Sequence, residues 1–179
     1  MKGIVFTEFL EMVEDKFGYE LVDELLTEND LPSGGVYTAI GTYENREMAM
    51  LLNGLHHKTQ IPLPTLLHTF GEHLFITFSQ SYPSFFQGIT DAFDFLESIE
   101  THIHIEVKKL YPDAELPHLI TRRLNTNQLE MIYHSERRMS ELALGLIESS
   151  LKYFGEKATV DKEILEADGA KVRFLISRE

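Results

Sequence analysis

The chain has 179 residues, 43% of them apolar and 11% aromatic, enough for one good-sized domain with a substantial core. Its 29 acidic against 16 basic residues give a formal charge of -13, a field that repels phosphate backbones and anionic membrane surfaces, so neither nucleic acid nor membrane is an expected partner. Cysteine is absent, which excludes disulfides, thiolate metal sites, cysteine nucleophiles and attachment of a cofactor through paired thiols. Any metal must then be held by His, Met, Tyr or carboxylate. The stretch Met1-Lys2-Gly3-Ile4-Val5-Phe6 lacks the apolar run and small-residue cleavage site of a secretory leader, and no run approaches about 18 apolar residues, so a cytoplasmic protein is expected.

From Ile4 to Phe17 the apolar residues Val5, Phe9, Met12, Val13 and Phe17 form a helical stripe that stops at Gly18. Val22, Leu25 and Leu26 predict a short second helix. Leu31-Pro32-Ser33-Gly34-Gly35 reads as a turn and not as a phosphate loop, whose lysine and spacing are missing. Helical patterns return over Tyr43–His57 and after Pro64 to Ser79. The longest predicted helix spans Asp91–Tyr111, with Ala92, Leu96, Ile99, Ile103, Val107 and Leu110 at steps of three or four, and stops at Pro112. Beyond Pro117 the period becomes two: Leu119–Leu124 and Gln128–Ser135, separated by Asn125-Thr126-Asn127, predict a hairpin. Met139, Leu142, Leu146 and Phe154 restore a helix closed by Gly155, and strands over Thr159–Leu165 and Lys171–Ser177 flank a turn at Ala167-Asp168-Gly169. The expected class is α+β, a helical N-terminal lobe followed by a lobe with a four-stranded antiparallel sheet and one intervening helix, all in a single domain over residues 1–179.

Eight histidines are the first candidates for chemistry. His102 and His104, two apart on a helix, point about 200° away from each other and cannot share an ion. His56 with His57, and His68 with His73, also miss a common face, so spacing supports no conventional zinc site. His104 sits at the edge of an apolar stripe, beside Ile103 and one turn before Val107. A lone histidine there is commonly a structural residue, yet a neutral imidazole also suits an iron centre with one open coordination position. Tyr133, Ser135 and Arg137, spaced by two, would share one face of a strand and present two hydroxyls and a guanidinium. Such a trio is either a polar strand end or an anion site, carboxylate being the natural target of Arg.

The set resembles the H-NOX family, the haem nitric oxide/oxygen binding domain related to the sensor region of soluble guanylate cyclase. The resemblance runs nearly end to end, through Met1-Lys2-Gly3, Tyr82-Pro83-Ser84-Phe85-Phe86, Ile103-His104-Ile105-Glu106-Val107, Pro117, Tyr133-His134-Ser135-Glu136-Arg137 and Gly145-Leu146-Ile147-Glu148. It implies non-covalent haem b, His104 as proximal iron ligand, Tyr133, Ser135 and Arg137 on the haem propionates, and Pro117 pressing the porphyrin out of plane. It also implies a distal pocket formed by Val5, Phe9, Leu74, Phe78, Leu142 and Leu146. Members that hold oxygen stably carry a tyrosine where this chain has Leu142, so the resemblance points to a sensor of nitric oxide, and of CO, that excludes oxygen. Of the other histidines, His73 beside Leu74 is the one that a small helix rotation would bring toward this wall. By the same resemblance, nitric oxide would release His104 and the domain would regulate a separate protein, a histidine kinase or an enzyme of cyclic-di-GMP turnover. No nucleophile constellation, phosphate loop or carboxylate pair at catalytic spacing is seen, so no enzymatic activity is expected. The rival readings are an oxygen sensor, a haem enzyme with a polar distal residue, and a haem-free interaction module.

Overall fold

A computed structural model describes all residues, 1–179. The N-terminal lobe is built from α1 (Gly3–Phe17), α2 (Tyr19–Glu28), α3 (Asn45–Thr59) and α4 (Leu63–Ser81). Each buries one apolar stripe: Phe6, Phe9, Met12 and Val13 from α1, Leu51 and Leu55 from α3, Leu66 and Phe70 from α4. Gly18, at φ 92°, makes the sharp break between α1 and α2 that a side chain would oppose. The helix expected from Tyr43 starts two residues later. Tyr43 instead exchanges backbone hydrogen bonds with Met1, and its ring packs edge-on against Phe6 and Tyr37.

The second lobe contains α5 (Ala92–Ser98), α6 (His104–Leu110), the strands β1 (His118–Asn125) and β2 (Gln128–His134), α7 (Ser140–Tyr153), and β3 (Ala158–Ile164) with β4 (Lys171–Arg178). The sheet is antiparallel throughout, in the order β1-β2-β4-β3. Strict alternation puts Leu129, Met131 and Tyr133 of β2 and Val172, Phe174 and Ile176 of β4 on the inner face, where Ile147 and Leu151 of α7 cover them. The class and the four-stranded antiparallel sheet are those expected.

The long helix expected over Asp91–Tyr111 is not continuous. Ile99–Ile103 forms a π-helical turn, with the His104 N–H bonded to the carbonyl of Ile99, five residues back. A π turn inserts one residue, so α6 is rotated by about 100° relative to the continuation of an unbroken α-helix. The rotation falls immediately before His104.

The lobes meet where α4 crosses α7. A Cβ on Gly71 would lie 2.2 Å from the carbonyl oxygen of Leu142, and one on Gly145 would lie 2.2 Å from that of His68. Only glycine at both positions permits this backbone approach, which sets Leu142 and Leu146 of α7 against Leu74 and Phe78 of α4. Two separate cores result, one per lobe, with Leu146 packed against both.

Candidate functional site

Between the lobes lies a cavity of about 310 Å³, at the lower end of the range for small-molecule sites. Its wall is mostly hydrocarbon: 26 of the 32 lining residues are hydrophobic, so the few polar groups stand out. They are concentrated on one wall and at one end.

His104 lines the cavity with its side chain 15% exposed, while His102, two residues away, is exposed. The His104 Nδ1 lies 2.9 Å from Glu100 Oε2, its one hydrogen-bond partner. The same oxygen accepts from the backbone N–H of Leu119 at 3.2 Å, and Oε1 lies 3.2 Å from Nδ1 of the exposed His118. Burial pushes the His104 pKa below its ordinary value, overcoming the opposite pull of Glu100. For Glu100, burial acts upward, but the hydrogen bonds from His104 and the Leu119 N–H hold its carboxyl below the usual range. The pair is therefore a neutral imidazole on a carboxylate. With Nδ1–H given to Glu100, the lone pair is on Nε2, the nitrogen left for a metal.

The polar end is formed by Tyr133, Ser135 and Arg137, all on the cavity. The single-strand geometry expected for them needs correction, because β2 ends at His134. Ser135 makes a last sheet-edge bond to the Ala170 carbonyl, and the chain then turns, reaching φ 56° at Arg138. The Ser135 Oγ accepts from the Arg137 N–H at 3.2 Å, so the serine shapes the turn that aims the guanidinium. Tyr133, 3% exposed, accepts from the Met139 N–H at 3.1 Å at the start of α7 and keeps its own proton for a second partner. Arg137, 16% exposed, reaches Glu115 at 3.4 Å. Pro117 lines the cavity next to β1.

The opposite wall carries Val5, Leu74, Phe78, Leu142 and Leu146. Phe9 does not belong with them. It sits one turn beyond Val5 on α1, fully buried in the N-terminal core with its ring edge-on to Phe70 at 5.3 Å, so it backs the wall without lining it. His73 is also turned away from the cavity, its Nε2 3.1 Å from Glu8 Oε2, which additionally accepts from Thr77 Oγ1 at 2.9 Å. Glu11 joins them to make a group of three potential metal ligands within 4.8 Å, assembled from two helices and so invisible to spacing along one. Two cavity-lining tyrosines were also missed, Tyr82 and Tyr111. Burial, and then Tyr111, raise the Tyr82 pKa, which keeps it a phenol. Glu100 had a readable signal, being four residues before His104 on the same helical face.

The chemistry of these walls suits a flat apolar molecule with a central metal and carboxylates at one edge: the imidazole of His104 has a nitrogen left for a metal, and the guanidinium and two hydroxyls are suited to carboxylates. Comparison with known proteins agrees. The sequence profile of the family described as HNOB, Haem-NO-binding, matches residues 2–162. No curated protein sequence matches significantly. Among solved structures, the unliganded Fe(II) H-NOX protein from K. algicida is 45% identical with a TM-score of 0.95, covering 100% of this chain and 97% of that one. The S. oneidensis H-NOX protein in the Fe(II)NO state is 26% identical, TM-score 0.92, covering 100% and 99%. The Shewanella woodyi H-NOX in the Fe(II)CO state is 37% identical, TM-score 0.85, covering 100% and 95%. The chain therefore belongs to the haem-NO-binding (H-NOX) family of haem-based gas sensors, whose domains hold haem non-covalently.

Proposed function

We propose that residues 1–179 act as one non-catalytic unit that senses nitric oxide, binds CO, excludes oxygen and controls a separate signalling protein. When bound, haem b supplies a ferrous iron with one position open to a diatomic gas. His104 is the proximal ligand through Nε2. Arg137, Ser135 and Tyr133 bind the propionates, Arg137 giving up Glu115 for a charge-assisted bond in a more enclosed place. Pro117, on the cavity wall, would bear against the bound haem. Val5, Leu74, Phe78, Leu142 and Leu146 keep water out and offer no hydrogen bond to the gas. Oxygen needs such a donor for stable binding and nitric oxide does not.

The observation that carries the reading is the opposition of the two walls, a buried imidazole held by Glu100 on one side and hydrocarbon at Leu142 on the other. With nitric oxide bound, release of His104 would free α6 and let the lobes readjust about the α4–α7 crossing. For this to signal, nitric oxide must favour the released state, since only differential affinity moves an equilibrium. A histidine kinase or an enzyme of cyclic-di-GMP turnover is the proposed recipient. Hydrocarbon at Leu74 and Leu142 puts no polar group at those two positions to assist O–O cleavage, which weighs against a haem enzyme. His104→Gly protein loaded with haem should adopt the released conformation and output without gas, and added imidazole should restore the resting state. Retention of the resting state without imidazole contradicts the proposal.

One observation favours an oxygen sensor as a second reading: Tyr82, a residue with a hydroxyl, lines the same cavity. If wild-type protein holds oxygen stably and Tyr82→Phe loses it, that reading replaces the first.

A further inference from the structure

We infer that Glu100 is the positioning residue for the iron ligand, its carboxylate clamped between the His104 imidazole and the backbone of β1 so that ring orientation and strand position move together. The inference rests on the reading of His104 as proximal ligand and adds to it what holds and tunes that ligand. Three contacts define the clamp: His104 Nδ1 at 2.9 Å and the Leu119 N–H at 3.2 Å on one oxygen, and His118 Nδ1 at 3.2 Å on the other.

These contacts are unequal. The His118 side chain is 77% exposed, so water can replace it as a partner. His104, at 15% exposure, has no other hydrogen bond, and losing Glu100 would leave a largely buried N–H unpaired. Leu119 is anchored in the second core and lies two residues after Pro117, itself on the cavity wall. One carboxylate oxygen thus ties His104 to the segment that carries Pro117. The π turn contributes as well: Glu100 lies inside Ile99–Ile103 and His104 directly follows it, so the pair straddles the end of the distorted turn.

The chemical consequence comes from the acceptor's charge. A carboxylate on Nδ1–H increases the electron density the imidazole offers at Nε2 and fixes its orientation, so it strengthens the bond to a metal there. Glu100 therefore resists release of His104. It sets the threshold that a gas on the other side has to overcome.

The test uses haem-loaded wild-type, Glu100→Gln and Glu100→Ala proteins. In the ferrous state the iron–histidine stretching band, read by resonance Raman, should move to lower frequency in Glu100→Gln, which keeps an acceptor but loses the charge, and further in Glu100→Ala. The rate at which nitric oxide releases His104, read by stopped-flow absorbance, should rise about tenfold or more in Glu100→Ala. In a His104→Gly background, Glu100→Ala should weaken binding of added imidazole about tenfold. A merely structural role for Glu100 would lower thermal stability in Glu100→Ala without moving the band in the isosteric Glu100→Gln. An unchanged band and release rate in both variants, beside a normal wild-type band, overturns the inference and leaves the assignment of His104 standing. Absence of the band in wild type overturns that assignment and this inference with it.

Discussion

The two walls of the cavity are made by different kinds of residue held in different ways. On the α6 side a single imidazole is fixed by a charged acceptor, a backbone N–H and a π turn, with Arg137, Ser135 and Tyr133 closing one end. On the α1, α4 and α7 side the wall is aliphatic and aromatic carbon, held by close backbone packing at Gly71 and Gly145. Directional bonds place a ligand atom within tenths of an ångström, whereas packing excludes water and presents nothing to bond. A sensor of the kind proposed, with its metal ligand on one wall and its gas against the other, would use both.

The sharpest way to break the polar side, short of removing His104, is Arg137→Ala. Losing the charge-assisted bonds to carboxylate costs about 1.5–3 kcal/mol, so haem affinity should fall about 10- to 100-fold, measured by transfer of haem to a competing acceptor protein. An affinity within twofold of wild type would show that Arg137 remains on Glu115. The packed side is tested next by Gly145→Ala. A methyl group directed at the His68 carbonyl should cost about 1–3 kcal/mol in denaturant unfolding and part Leu142 from Leu74. An unchanged midpoint would mean that the crossing yields freely.

Leu142→Tyr puts a donor on the hydrocarbon wall. One hydrogen bond is worth about 0.5–1.5 kcal/mol, so oxygen should dissociate up to about tenfold more slowly, seen by flash photolysis, while nitric oxide binding changes little. The smallest effect expected is on pH dependence. Burial lowers the His104 pKa, so in haem-free protein the folded state binds fewer protons than the unfolded one between that lowered value and the ordinary 6.5. Stability should therefore drop as pH falls through this window, and a His104→Leu variant should show a shallower slope there.

Much of this was legible in the sequence because it is written in short-range patterns. The alternation over Leu129, Met131 and Tyr133 fixed the face of β2, and the stripe in α1 fixed its buried side. Pattern alone left His104 and the Tyr133, Ser135 and Arg137 trio open; the family resemblance singled them out together with Pro117, and all five line one cavity. The misses have two causes, local backbone irregularity and packing between distant segments. A π turn leaves the apolar period almost intact while changing which carbonyl each N–H finds, so Asp91–Tyr111 read as one helix. Arg137 arrives at the cavity through a turn set by the Ser135 hydroxyl, which a period of two cannot distinguish from a strand. Phe9 shares a face with Val5 but lies a turn deeper, and the pairing of His73 with Glu8 spans 65 residues. Depth along a helix and contacts between distant segments are properties of packing, and local pattern does not encode them.

The most direct test of the opposed walls is the absorption spectrum of anaerobically reduced, haem-loaded protein, recorded before and after nitric oxide and, in a fresh sample, on first exposure to air. The expected result is a five-coordinate ferrous spectrum that changes with nitric oxide and is not converted by air into an oxygen complex. A stable oxygen complex would contradict the reading of Leu142 and its neighbours as a wall without a donor.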